Sequence, residues 1–145
     1  MPYVFNEDKS RVDFDSAFNT SYAAKYQLLW SNQNPLQDFA QTTITFPSTV
    51  NLSDYKFIDI ITRQGQVCRV HCADNDRDVS GVMIQQVNIE IGFGVYLTTR
   101  DVYIDIYNNE IEIGDGTIFI VTSPAQEPNV VNSYLVPIKI YGVKL

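Results

Sequence analysis

Cys68, His71 and Cys72 lie within five residues of one another and carry side chains that can bind zinc or act as nucleophiles. The residues around them favour a β-strand, in which Cys68 and Cys72 share one face and His71 points to the other. In such a strand the two cysteine Cα atoms lie about 13 Å apart, beyond the limit of roughly 7 Å for a disulfide. The spacing therefore predicts two free thiols, which fit a reducing cytoplasm, and no zinc site.

Other catalytic patterns are missing from the chain. His71 is its only histidine, and no Gly-x-Ser-x-Gly motif presents a nucleophilic serine. No phosphate-binding glycine motif occurs, whereas the 17 acidic residues leave the two-carboxylate chemistry of a glycosidase open. A domain of 145 residues with evenly spaced strands offers little room for a deep cleft. We therefore expect a protein that is not an enzyme and that needs no cofactor.

The densest acidic cluster is formed by Asp74, Asp76 and Asp78, which alternate like the first ligands of an EF-hand loop. The rest of that pattern fails, because Val79 stands where the loop needs glycine and Gln85 where it needs glutamate. The three aspartates are thus candidate ligands of a calcium or magnesium ion. The commoner interpretation of such a segment is a solvated hairpin tip.

Trp30 is the only tryptophan and stands beside a run of amides that includes Asn32 and Asn34. An indole that stacks on a sugar, with amides that bond its hydroxyls, would form a carbohydrate site. The alternative, which we favour, is that Trp30 fills the core at the end of a strand. On another predicted strand, Tyr103 and Tyr107 occupy the polar side and suit an interface between subunits.

These residues belong to a chain in which period-two alternation is frequent and helical periodicity is scarce. Residues 101–107 show the clearest alternation, and the pattern resumes at 110–113 and 117–122, which predicts three consecutive antiparallel strands. Within residues 82–91 the apolar positions change phase at Gln85 and Gln86, which predicts a β-bulge. Residues 98–100 are expected to separate two strands.

Earlier in the chain, residues 56–62 would be apolar on both faces of a strand apart from Asp59. This pattern predicts a central strand that is covered on both faces. Helix is limited to one short turn at residues 36–40. Turn signals recur about every ten residues, so we predict an all-β fold, an antiparallel β-sandwich of the jelly-roll kind.

Length and charge narrow the function further. The size fits one domain, which we divide into an N-terminal arm or attachment segment (residues 1–25) and a head domain (residues 26–145). A net charge of −7 argues against binding to nucleic acid. No stretch is apolar enough to span a membrane, and the first residues do not resemble an export signal.

Four segments of the chain, in this order, are similar to the β-rich head domain of phage and prophage appendage proteins. The segments are LLWSNQNP at 28–35, FAQTTITF at 39–46, LSDYKFIDI at 52–60 and VPIKIYGVK at 136–144. The resemblance covers roughly residues 27 to 145, with a divergent middle. The segments are short and carry no catalytic residue.

This resemblance implies a virion structural protein made in the host cytoplasm: a homotrimeric tail-fibre or head-fibre head, an adaptor, or a capsid-decorating subunit. It would self-associate, bind other virion proteins through the N-terminal arm, and present loops to a glycan or protein of the host. The carboxy-terminal strand, residues 134–143, would be built into the core. The alternative function is a stand-alone carbohydrate-binding, lectin-like module around Trp30.

Overall fold

A computed structural model of the chain describes residues 3–5, 11–13, 25–72, 79–90, 94–120 and 129–144. Within these ranges the secondary structure consists of strands and one 3-10 helix, η1 (Leu52–Asp54). The strands are β1 (Tyr3–Phe5), β2 (Arg11–Asp13), β3 (Tyr26–Ser31), β4 (Thr42–Thr45), β5 (Phe57–Thr62), β6 (Val67–His71), β7 (Val79–Glu90), β8 (Gly94–Asp105), β9 (Glu110–Ile113), β10 (Thr117–Ile120), β11 (Asn129–Val130) and β12 (Pro137–Val143). The predicted all-β class is confirmed.

Two antiparallel sheets form the sandwich. The small sheet has the strand order β3-β12-β5-β6. In the large sheet β8 pairs with β7 on one side and with both β9 and β10 on the other, and β4 and β11 complete the edges. The jelly-roll connectivity remains a prediction. None of the helical structure in the described ranges has the length and apolarity needed to cross a bilayer.

The core lies between the sheets and is built by the alternation read from the sequence. Ile58 and Ile60 on β5 and Ile140 on β12 enter it from the small sheet, and all three are fully buried. The large sheet contributes the fully buried residues Val102, Ile104, Ile111 and Ile113. Each of these residues has a more exposed neighbour on either side along β8 or β9, so the opposite face of the large sheet points outward.

The predicted central strands are confirmed. β5 lies between β12 and β6, and β12 lies between β3 and β5. The carboxy-terminal strand begins at Pro137, three residues later than expected.

Two details of the strand prediction are wrong. Thr98–Arg100 does not separate two strands, because β8 is continuous from Gly94 to Asp105. β7 pairs with β8 in one unbroken register, so no bulge occurs at Gln85 and Gln86. The apolar residue Val87 instead stays on the outward face, where it is 63% exposed.

The three antiparallel strands predicted at residues 101–107, 110–113 and 117–122 correspond to the second half of β8, to β9 and to β10. β9 follows β8 as a hairpin, and β10 pairs with the first half of β8. A strand of twelve residues is long enough to hold two short partners end to end along one side.

The helical turn predicted at residues 36–40 is also wrong. The helical residues are Leu52–Asp54, where the Asn51 side chain accepts a hydrogen bond from the Ser53 N–H and caps the turn. In the N-terminal segment β1 and β2 form an antiparallel pair of their own. The division into arm and head remains a prediction.

Candidate interaction surface

The outward face of the large sheet carries a row of carboxylates. β8 and β9 pair so that Tyr103 lies opposite Glu112 and Asp105 opposite Glu110, and Asp101 stands on the same side of β8. We call the surface formed by Asp101, Tyr103, Asp105, Glu110 and Glu112 the carboxylate face. Within the described ranges it contains no basic side chain, and none of its acids forms an ion pair.

Tyr103 lies at the centre of the carboxylate face and is 44% exposed. Its ring covers Gly81 of β7: a Cβ at that glycine would stand 3.0 Å from Tyr103 Cε1. Glycine therefore allows the ring to lie flat across the neighbouring strand. Met83, the next outward residue of β7, is 43% exposed and lies opposite Asp101.

Tyr107, the second predicted interface residue, lies in the turn between β8 and β9 and is 84% exposed. Hydrogen bonds hold this turn in place. Asp105 accepts bonds from the backbone N–H and the side-chain amide of Asn108, at 3.0 and 2.8 Å, and these bonds lower the pKa of its carboxyl group. Asn109 adopts a positive φ of 55°, which asparagine tolerates. The two tyrosines thus stand on one sheet, Tyr103 on its face and Tyr107 at its end.

Basic side chains gather at the small sheet. Six lie on it or at the ends of its strands, namely Lys25, Lys56, Arg63, Arg69, Lys139 and Lys144, against the acids Asp54 and Asp59 in the same described segments. Asp59 is buried beneath Arg69, whose Nε and Nη2 donate to its two carboxylate oxygens at 2.8 and 2.9 Å. That bidentate bond raises the pKa of Arg69.

Three exposed lysines stand together at one end of the small sheet. The Lys56 N–H donates to the carbonyl of Val143, and the Lys144 N–H donates to the carbonyl of Lys25, both at 2.9 Å. The lysines thus follow or precede adjacent strands, β5, β12 and β3. We call Lys25, Lys56 and Lys144 the lysine end. Lys56 and Lys144 hold their ammonium groups 5.6 and 5.5 Å from the ring centres of Phe57 and Tyr55.

A buried arginine, which the sequence reasoning missed, fixes the loops between the sheets. Arg100 is fully buried and donates hydrogen bonds of 2.6 to 3.1 Å to five main-chain carbonyls. The acceptors are Phe39, Gly114, Asn132, Tyr134 and Leu135. Burial lowers its pKa to about 10. Because a guanidinium group has five N–H donors in a fixed plane, this set of bonds uses its full capacity.

The carbohydrate candidates have structural roles in this arrangement. Trp30 is half-buried, packs against the core and meets the Phe39 ring edge-on, with ring centres 6.1 Å apart. The Asn32 amide donates to the Pro137 carbonyl at 2.9 Å, and its oxygen accepts the Asn34 N–H at 2.8 Å. The Asn32 side chain thus bonds the chain itself, whereas the Asn34 side chain is exposed. Whether these residues bind a sugar remains a prediction.

The cysteines and the histidine are arranged as the strand pattern indicates. Cys68 and Cys72 are free thiols packed against the core. Burial raises the pKa of Cys68, and it raises that of Cys72 to about 11. His71 is exposed on the other face and meets the Phe57 ring edge-on at 4.6 Å. The described part of the chain contains no group of three or more residues placed to hold a metal ion.

The aspartates proposed as cation ligands, Asp74, Asp76 and Asp78, lie outside the described residues. A cleft of about 660 Å³ opens between β6 and β7, lined by residues 66–69 and 83–85. The Oε1 atom of Gln66 is buried there without a hydrogen-bond partner among the described residues.

Comparison with known proteins gave no relative. No protein-family model, no curated protein and no solved structure matches the chain.

Proposed function

We propose that this chain is a non-enzymatic structural subunit of a phage virion that acts by self-association. In this proposal it forms a homotrimeric fibre head or adaptor, or a capsid-decorating protein, and its N-terminal arm binds another virion protein. The phage setting depends on the resemblance of the four sequence segments.

The observation that carries the self-association is the outward face of the large sheet. Met83, Tyr103 and Val87 are 43%, 44% and 63% exposed on that face, although an antiparallel sheet normally turns polar residues to water. Aromatic residues and methionine are enriched where proteins meet. The face therefore has the side chains of a subunit contact.

The bonds of Arg100 support a role that depends on shape. They tie the loop at Phe39, the turn at Gly114 and residues 132–135 to the middle of β8. A rigid subunit with several copies in one particle can attach firmly even when each contact with the host is weak.

The first experiment is a mass measurement of the full chain by light scattering at several concentrations. We expect three copies in the wild type and a loss of assembly in Tyr103→Ser. The matched control is Tyr134→Ser, because Tyr134 is 38% exposed but lies outside the carboxylate face. A wild-type monomer at high concentration contradicts the proposal. Glycan binding by such a monomer, lost in Trp30→Ala without unfolding, would support the carbohydrate-binding alternative instead.

The second experiment tests whether the chain is a component of a phage particle. Mass spectrometry of purified phage particles from a host that makes the chain should find it in them in multiples of three copies. Its presence only in the particle-free fraction contradicts a role in the virion.

A further inference from the structure

The charges of the described residues are divided between the two sheets. Six basic side chains and two acidic ones belong to the small sheet and the ends of its strands. The large sheet and its turns carry six acids, the four of the carboxylate face with Glu90 and Asp115, and their one basic residue is the buried Arg100. A net charge of −7 for the whole chain hides this separation.

Within the described ranges, the separated charges of the two sheets form no ion pair with one another. The one ion pair found in the described ranges joins Arg69 to Asp59, so the acids of the carboxylate face and the lysines of the lysine end form none. Both groups reach the surface: Lys25, Lys56, Lys144 and Asp101 are exposed, and Glu112 is half-exposed. An unpaired acidic surface and an unpaired basic surface on one chain are complementary between two copies.

We propose that the carboxylate face of one copy binds the lysine end of the next copy, head to tail. This inference rests on the proposed function, because it names the surfaces through which the subunits associate. Tyr103 and Met83 supply apolar area next to the acids, and the lysine stems beside Phe57 and Tyr55 supply it on the other side.

The geometry permits a closed ring. The lysine end points along the strands of the small sheet, whereas the carboxylate face looks out perpendicular to the plane of the large sheet. In a sandwich the two sheets are stacked, so these two directions are not opposite to each other. A contact between two different surfaces is heterologous, and it closes into a ring when its rotation is suitable. Two surfaces on opposite sides of the molecule would give an open stack.

Charge reversal on either surface tests the proposal. The first variant is Asp101→Lys with Glu112→Lys, and the second is Lys56→Glu with Lys144→Glu. Each variant alone places like charges at every contact, and we expect its self-association to weaken at least about tenfold. A third variant that carries all four substitutions restores opposite charges at every contact and should form three copies again, as measured by native mass spectrometry.

The control variants are Lys139→Glu and Asp38→Lys, which reverse exposed charges away from both surfaces. They should assemble like the wild type, and the circular dichroism and thermal unfolding of every variant should match it. If the reversed variants assemble unchanged, or if the variant with all four substitutions does not assemble, the head-to-tail contact is wrong while the proposed function stands. If the wild type itself stays monomeric, the proposed function fails and the contact fails with it.

Discussion

The two sheets share a core but differ in what they turn outward. The large sheet presents carboxylates around Tyr103, and the small sheet presents an arginine and lysines around Phe57. In the small sheet an acid is also present, but Asp59 is buried and neutralised by Arg69. In the large sheet the buried charge is Arg100, which is satisfied by carbonyls. Each sheet thus neutralises or satisfies its buried charge, and the charges that its described strands turn outward have one sign.

The largest loss of stability is expected when Arg100, the buried arginine of the large sheet, is replaced. Arg100→Met leaves five main-chain carbonyls around a fully buried side chain without their donor, and we expect a loss of about 3 to 5 kcal/mol in the free energy of unfolding. Denaturation in urea measures it. The control is Arg63→Met: Arg63 is half-exposed and donates to the carbonyls of Pro35 and Ser133. An equal loss of unfolding free energy in both variants would show that the burial of Arg100 does not explain its contribution to stability.

The small sheet depends on close packing at Gly142. A Cβ there would stand 2.5 Å from the Tyr55 ring, which is itself buried, so we expect Gly142→Ala to lose about 1 to 3 kcal/mol of stability. Gly114→Ala in the large sheet is the matched control, since its nearest contact is an ordinary 3.4 Å. Thermal unfolding of the two variants compares them, and a Gly142→Ala protein as stable as the wild type contradicts the packing argument.

The reactivity of the Cys72 thiol, which directly follows β6, tests whether the inner face of the small sheet is closed to solvent. With its pKa raised to about 11, Cys72 holds only about one thiolate per thousand molecules at pH 8, and we expect native-state alkylation at least 100-fold slower than in the unfolded chain. Iodoacetamide labelling followed by peptide mass spectrometry measures the rate at Cys72. Native labelling as fast as in urea would show that the thiol is not buried against the core.

The smallest effect is expected at the cleft between the two sheets. Gln66→Met keeps the volume of the side chain and removes a buried oxygen that has no partner in the described residues, so stability should stay unchanged or rise by up to about 1 kcal/mol. Equilibrium unfolding in urea measures the change. A clear loss of stability would mean that the amide is bonded in solution.

Local alternation predicted much of this fold because the side-chain period of a strand appears directly in the sequence. It predicts β9, the second half of β8, the central position of β5 and the shared face of Cys68 and Cys72. It could not predict which strand β10 would pair with, since pairing is decided by distant contacts. The polar run of Thr98, Thr99 and Arg100 predicts a break because three polar residues in a row carry no sign of burial, yet all three are buried in β8.

The candidate surface was predicted only in part. The polar side of β8 gave Tyr103 as an interface residue, and the structure places the acids of β8 and β9 around it. The lysine end could not be predicted, because Lys25, Lys56 and Lys144 come together only when β3, β5 and β12 pair. The separation of charge between the two sheets depends on strand order, and the net charge of the chain carries no information about strand order.

The central claim is that oppositely charged surfaces of identical copies assemble this protein. Sedimentation equilibrium of the wild type in low and in high salt tests this claim. Salt screens the interaction between exposed charges, and the screening length is about 8 Å at physiological ionic strength and shorter above it. If opposite charges hold the copies together, we expect a species of three copies in low salt that dissociates as salt is raised. A single copy under both conditions, or an assembly that salt does not weaken, would contradict it.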